Sequence, residues 1–171
     1  MLVIDVQEKL TPLVHEKDIL LKNIRIMIQA AQVLDIPILW SEHVPDKIGA
    51  TVEPIRRLMP VQKPIVKKTF GCCGEKNSTK ALAALYRKQI IVTGIEAHVC
   101  VYQTVAQLLE SSYKVQVVAD AVSSRAASNK DIGLERIRSC GGEITSTETM
   151  LFELLRTAEH GQFRNILDLV R

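Results

Sequence analysis

Three reactive side chains stand where apolar runs end. Asp5 lies in "LVIDVQ", the pair Lys67–Lys68 in "PIVKKTFGC", and Cys100 in "QIIVTGIEAHVC". A carboxylate, an ammonium and a thiol are the parts of an acyl-transfer site. The carboxylate takes the thiol proton, the cation balances the carboxylate, and the sulfur attacks a carbonyl carbon. Each group alone has a plainer reading. An aspartate at a strand end caps a loop, adjacent lysines are solvated, and a free cysteine fills core. Taken together they read differently. A carboxylate inside an apolar run is costly unless it is paired, and a lysine supplies the partner. A cysteine in a first helical turn beside a cation has its thiolate favoured by helix dipole and charge. Cys100 is therefore expected to have a lowered pKa and to alkylate before Cys72, Cys73 or Cys140.

These residues need a scaffold that brings distant strand ends together. "LVIDV" (2–6), "IPILW" (36–40), "PIVKK" (64–68), "QIIVTG" (89–94), "KVQVVAD" (114–120) and "GEITS" (142–146) read as strands. The first, fourth and fifth are rich in Val and Ile, as in strands covered on both faces. Between them, Ile24, Met27, Ile28, Ala31 and Leu34 recur at helical spacing within 19–34. "STKALAALYRK" opens on a capping-type Ser78. "VCVYQTVAQLLESS" puts Val101, Val105, Leu108 and Leu109 on one face, and "NKDIGLERIRS" runs toward Cys140 and the Gly141–Gly142 pair. Ser146 or Thr147 is a plausible start for "STETMLFELLR". The alternation predicts an α/β fold: a doubly wound, Rossmann-like, mostly parallel sheet of about six strands with helices on both faces. It is expected to form one domain over 1–171, with no repeat and no linker. Sites in such sheets lie beyond the carboxyl ends of the strands. Asp5, the lysine pair and Cys100 all fall there if strands one, three and four lie close together. His98 is two positions from Cys100 and does not share its helix face, so a pocket-lining or interface role suits it better than that of a base. His43, in "SEHVP", also lies on this edge, but a lone histidine is weak evidence for a metal.

Composition narrows the class. Aromatic residues make up 4% of the 171 and the net charge is only +3, which disfavours a stacking platform for nucleic acid. No apolar run approaches the ~20 residues of a membrane span. "MLVIDVQEKL" is not a signal peptide, because Asp5 interrupts its apolar run. It starts as a strand at once, so residues ahead of Met1 are expected to be missing or the domain to be trimmed to its edge. The cysteines, at 72, 73, 100 and 140, lack zinc-site spacing. A reduced intracellular chain, in the cytoplasm, is the expectation.

"LVIDVQ", "KKTFGC" and "GIEAHVCV", in that order, resemble the three motifs of the isochorismatase-like (cysteine hydrolase) superfamily. "VVADAVSSR" and "TSTETMLFELL" are similar to its isochorismatase-domain-containing branch. By that resemblance Asp5 is the base and Cys100 the nucleophile. Lys67 rather than Lys68 is the lysine, because it precedes the aromatic Phe70 by the family spacing; Gly71, Cys72 and Cys73 then replace a Ser-Ala-Phe. The resemblance also implies a cis peptide between Ile95 and Glu96, with the N–H groups of Glu96 and Cys100 forming an oxyanion hole. Ser41 stands where metal-binding relatives carry an aspartate, so no metal is expected and nicotinamide is disfavoured. Cys100 disfavours vinyl-ether cleavage. The expected function is hydrolysis of a small amide, or another carbon–nitrogen or acyl bond, through a thioester and without a cofactor. The rival is a non-catalytic interaction protein that keeps the fold. Gln7, Trp40, His43, Phe70 and His98 are the candidate pocket residues. The expected partner is a small molecule, with no nucleic acid and no membrane. The apolar surplus of the C-terminal segment, from Met150 and Phe152 to Phe163 and Leu169, points to a homo-oligomer, a dimer at least, with Trp40 and Phe70 near its interface.

Overall fold

The computed structural model describes residues 1–61 and 63–171. Strand β1 (Leu2–Ile4) lies inside a six-stranded sheet, flanked by β2 (Leu39–His43) and β4 (Gln89–Ile95). Strands β3 (Ile65–Lys67), β5 (Lys114–Ser123) and β6 (Glu143–Thr145) complete the order β3-β2-β1-β4-β5-β6. Neighbouring strands all pair in parallel. The register sets Ile4 beside Ser41 on one side and Gly94 on the other. Order therefore reverses on either side of β1, and β1 and β4 open a crevice at their carboxyl ends.

Among the described residues eight α-helices accompany the sheet: α1 (Lys17–Val33), α2 (Pro45–Ile48), α3 (Glu53–Arg56), α4 (Lys76–Ala84), α5 (Tyr102–Glu110), α6 (Ala127–Ser139), α7 (Thr147–Leu155) and α8 (Phe163–Val170). One core joins Val3, Trp40, Ile95 and Val118 to Leu20, Ile24, Met27 and Ile28 of α1 and to Met150, Leu151 and Ile166. Those α1 residues recur at three- and four-residue steps, so one helical stripe meets the sheet. The other core joins Leu2, Ile4, Val92 and Val117 to Leu82, Val105, Leu108 and Ile137. With both faces covered, β1 and most of β4 are apolar without alternation. Among the described residues no helix is long and apolar enough to cross a membrane.

Several expectations shift. The second strand runs Leu39–His43, not 36–40. Pro37 has no N–H to give to a ladder, and pairing begins where the Leu39 N–H reaches the Met1 carbonyl at 2.9 Å. Strand β2 also separates β1 from β3, so the first, third and fourth strands are not all neighbours. Helix α4 starts at Lys76, and Ser78 is buried within its first turn rather than capping it. Ser146 does cap α7, its Oγ accepting the Thr149 N–H at 3.2 Å. After α6, Gly141 takes φ 98° and the Gly142 N–H returns to the Ile137 carbonyl at 2.9 Å. Much of the C-terminal apolar surplus packs inward: α7 and α8 lie on α1, and Phe152 meets Phe163 with ring centroids 6.5 Å apart. Trp40 faces the same core and is buried, not at an edge.

Candidate active site

The crevice at the carboxyl ends of β1 and β4 is built from backbone first. Asp5 follows β1 with φ 52°, a left-handed conformation that aspartate tolerates better than most residues. Its N–H donates to the Ser41 carbonyl at 3.2 Å, so it stays tied to β2 while the chain turns. Gly94 takes φ 120°, and a side chain there would run into the Ile4 carbonyl. Only glycine lets β4 pass β1 this closely before the chain turns toward Cys100.

Beyond β4 the Ile95–Glu96 peptide bond is cis. A π-helical turn, Ala97–Val101, then carries Cys100 into α5. The Glu96 carbonyl accepts the N–H groups of Val99 at 3.0 Å and Val101 at 3.2 Å. The Glu96 carboxylate accepts the backbone N–H of Arg125 at 2.9 Å and its Nε at 3.2 Å. The turn is thereby anchored to the segment after β5. Gly133 of α6 backs it: a Cβ there would stand 2.7 Å from the Ala97 carbonyl carbon and the His98 nitrogen.

Lys67 closes β3 and reaches past β2 to Asp5, Nζ to Oδ2, at 2.6 Å. Both side chains are completely buried. Lys67 also donates to the carbonyls of Thr69 at 3.1 Å and Phe70 at 2.7 Å. Three partners match the three protons of an ammonium. Asp5 Oδ1 accepts the Ser41 hydroxyl at 2.7 Å. Cys100, 6% exposed, is buried against the same pair.

Burial pushes the Cys100 thiol up from its ordinary value of 9.0 to about 12. The Asp5 charge and a hydrogen bond to Asp5 raise it too, while Lys67 pulls the other way. The expected lowering of this pKa is thus overturned: desolvation and the nearby carboxylate outweigh one ammonium already paired. At neutral pH a thiol with a pKa of about 12 is ionised in roughly one molecule in 10⁵. The resting group is the thiol. The expected alkylation order loses its basis as well, because Cys140 is the exposed cysteine.

This shift has a consequence for stability. Folded Cys100 holds its proton where the unfolded thiol, at its ordinary value of 9.0, releases it. Its contribution is fully present below pH 9.0 and is lost as pH rises from there toward about 12. The slope is about 1 kcal/mol per pH unit. Denaturant unfolding between about pH 9 and 10.5 is expected to show a shallower loss in Cys100→Ala than in the parent chain. Parallel curves would contradict the assigned shift.

The other candidates divide. His43 pairs in register with Lys67, and its ring lies 5.3 Å from that of Phe70, which is exposed. Burial first, and Lys67 next, lower the His43 pKa from its ordinary 6.5. Gln7 is completely buried with its amide engaged by backbone. Its amide donates to the carbonyls of His43 at 3.0 Å and Gly49 at 2.6 Å and accepts the His43 N–H at 2.7 Å, clamping the loop after β2. Trp40 belongs to the core and is also withdrawn from the site. His98 Nδ1 shares a hydrogen bond with Ser124 Oγ at 2.9 Å. A groove of about 660 Å³ lies at the opposite, amino edge of the sheet, lined among others by Pro37, Leu85, Arg87 and Lys88. It contains none of Asp5, Lys67 or Cys100. Among the described residues no cluster of three or more His, Cys, Asp or Glu side chains is placed to hold a metal ion.

Sequence reasoning missed Thr104 altogether, and missed the contacts of Ser41 and Cys72 with the site. The Cys72 N–H donates to Thr104 Oγ1 at 3.0 Å, and that hydroxyl donates to the Cys100 carbonyl at 2.6 Å. No sequence pattern links these positions; only the strand order brings them together.

The sequence model of the isochorismatase domain matches residues 1–149. Isochorismatase family protein 1A of Dictyostelium discoideum is 36% identical over 98% of this chain and 83% of its own length. The secreted isochorismatase effector Isc1 of Phytophthora sojae is 34% identical over 99% of this chain and 82% of its own. The structure described as MAR1 ribonuclease from Caenorhabditis elegans superposes with a TM-score of 0.92 at 31% identity, covering 99% of this chain and 87% of that one. A sheet of this order, covered on both faces, and a match that spans most of the chain agree: the protein belongs to the isochorismatase family.

Proposed function

We propose that the chain is a cysteine hydrolase that cleaves a small amide, or another carbon–nitrogen or acyl bond, through a thioester on Cys100. The buried Asp5–Lys67 pair at 2.6 Å beside the Cys100 thiol carries this reading. A thiol with its pKa raised to about 12 is not spontaneously ionised. It needs a base at the moment of attack, and Asp5 is the carboxylate in reach. Asp5 takes the proton as sulfur adds to the carbonyl carbon. Lys67 balances the carboxylate throughout. The N–H groups of Glu96 and Cys100 are assigned to the developing oxyanion; the Glu96 carbonyl engages Val99 and Val101 and not Cys100, which supports the assignment. Each such donor is worth about 10²–10³ in rate. Asp5 then returns the proton to the leaving nitrogen, and water, activated by Asp5, releases the acid. His43 and Phe70 border the substrate. No cofactor enters any step.

The burial of Cys100 favours the rival reading, an interaction protein with a retained but inert site. Amine or ammonia release from a panel of small amides separates the two. Release that Cys100→Ala abolishes is the expected result. A single-stranded RNA runs in parallel, because the nematode relative is described as a ribonuclease. Cleavage of RNA that depends on Cys100, or a Cys100 inert to every amide, would overturn the proposal.

A homo-oligomer remains part of the proposal, on a different surface from the C-terminal segment. The edge strand β3 leaves Val66 exposed, with exposed Phe70 and Val61 nearby in sequence. Open edges with apolar side chains are liabilities unless covered. Sedimentation equilibrium at micromolar concentration is expected to show a dimer or larger. A single 19.1 kDa species would contradict it. The four free cysteines suit a reducing, intracellular compartment, although the Phytophthora relative is named a secreted effector.

A further inference from the structure

Asp5 and Cys100 are joined by a second, longer route through buried hydrogen bonds. Ser41 Oγ donates to Asp5 Oδ1 at 2.7 Å. Cys72 Sγ donates to Ser41 Oγ at 3.6 Å, within reach for sulfur. The Cys72 N–H donates to Thr104 Oγ1 at 3.0 Å, and Thr104 Oγ1 donates to the Cys100 carbonyl at 2.6 Å. Ser41, Cys72 and Thr104 are all buried. They come from β2, the turn after β3, and α5.

We infer that Ser41 is a positioning residue for the Asp5 base, and that Cys72 orients Ser41. The inference rests on the Asp5–Cys100 chemistry proposed above. A carboxylate has two oxygens with different tasks here. Oδ1 is held by Ser41, while Oδ2 meets the Lys67 ammonium and has no N–H or O–H hydrogen bond from any other described group. Fixing Oδ1 fixes the rotation of the whole group, and with it the direction of the Oδ2 lone pairs. Without that bond the carboxylate can swing about its Cα–Cβ and Cβ–Cγ bonds, still paired with Lys67 but misaligned with sulfur. Cys72 decides which way the serine donates. With its S–H given to Ser41 Oγ, the serine proton is left for Asp5. Burial raises the Cys72 pKa, which keeps that S–H in place at neutral pH. The vicinal pair Cys72–Cys73, otherwise without a role in the mechanism, gains one at its first member.

Site-resolved iodoacetamide labelling, read by mass spectrometry at each cysteine, tests this on the whole chain. Ser41→Ala is expected to slow labelling of Cys100 about tenfold, the scale of a lost hydrogen bond to a charged group. Labelling of Cys72, Cys73 and Cys140 should not rise. Ser41→Thr keeps the donor and is expected to recover the rate. Cys72→Ser is expected to label Cys100 at the parent rate, and Cys72→Ala to slow it. A general loosening would expose buried thiols and speed their labelling, so slowing confined to Cys100 separates positioning from mere structure. Asp5→Asn is the control for the underlying chemistry. If Asp5→Asn leaves Cys100 labelling unchanged, or speeds it by removing the charge that raises the thiol's pKa, the base assignment itself fails. If Asp5→Asn slows it and Ser41→Ala does not, the role of Ser41 alone is overturned. Accelerated labelling of Cys72 in Ser41→Ala also overturns it.

Discussion

Lys67→Met is expected to lower the unfolding free energy by about 3–5 kcal/mol, the scale of breaking a buried ion pair from one side. Asp5 and Lys67 are both without solvent contact, so loss of the ammonium leaves a carboxylate in the core with the Ser41 hydroxyl on its other oxygen. Methionine has a similar length, which limits the cavity term. The loss therefore measures the stranded charge together with two loop anchors, the bonds from Nζ to the Thr69 and Phe70 carbonyls. The combination Asp5→Asn with Lys67→Met removes both charges and is expected to recover most of the stability. Urea denaturation of the four members of this cycle is the measurement. A double variant as unstable as Lys67→Met alone would show that the loop anchors, and not the charge pair, hold the site together.

Asp5→Asn is expected to lower turnover by about 10²–10⁴, the worth of a positioned general base. The amide can keep the shape of the carboxylate and can still accept the Ser41 hydroxyl, so the fold should persist. It cannot accept the thiol proton. Burial, the largest cause of the raised Cys100 pKa, persists in the variant and works against a spontaneous thiolate, although the raising influence of Asp5 is lost. Had burial not raised that pKa, a partly ionised thiol could have carried residual activity. The comparison is made on any amide that the parent chain hydrolyses, with Cys100→Ala as the zero. Near-parent turnover would remove Asp5 from the role of base.

The parts legible in the sequence were those that a run or a spacing encodes. Strands β1, β4 and β5 stand out because a strand covered on both faces is a plain apolar run. The helical stripe of α1 was equally plain, and the start of α7 was legible to within Ser146 or Thr147, of which Ser146 is the cap. The convergence of Asp5, Lys67 and Cys100 followed from placing each at a strand's carboxyl end, although β2 turned out to lie between two of those strands. Direction along a strand was not legible. Extending β2 from Ile36 instead of Leu39 put Trp40 at a strand end near the site, whereas its ring is core. Gln7 was a pocket candidate, but its amide clamps the loop after β2. Electrostatics were the least legible. The helix and the lysine beside Cys100 argued for a lowered pKa, while the dominant influence, burial, depends on packing that no local pattern reports. The network of Ser41, Cys72 and Thr104 was not legible because what joins them is a register between elements more than 30 residues apart, 31 for Cys72 to Ser41 and 32 for Cys72 to Thr104.

The most direct measurement of the proposed chemistry is the mass of the protein caught during turnover. The parent chain is mixed with small amides or acyl esters, quenched in acid within the first turnovers, and digested for peptide mass analysis. An acyl group on the peptide that contains Cys100 is the predicted result, absent from Asp5→Asn quenched at the same time and absent from Cys100→Ala. Hydrolysis at full rate with no adduct at Cys100, or an adduct found instead on Cys72, Cys73 or Cys140, would contradict a Cys100 thioester as the intermediate.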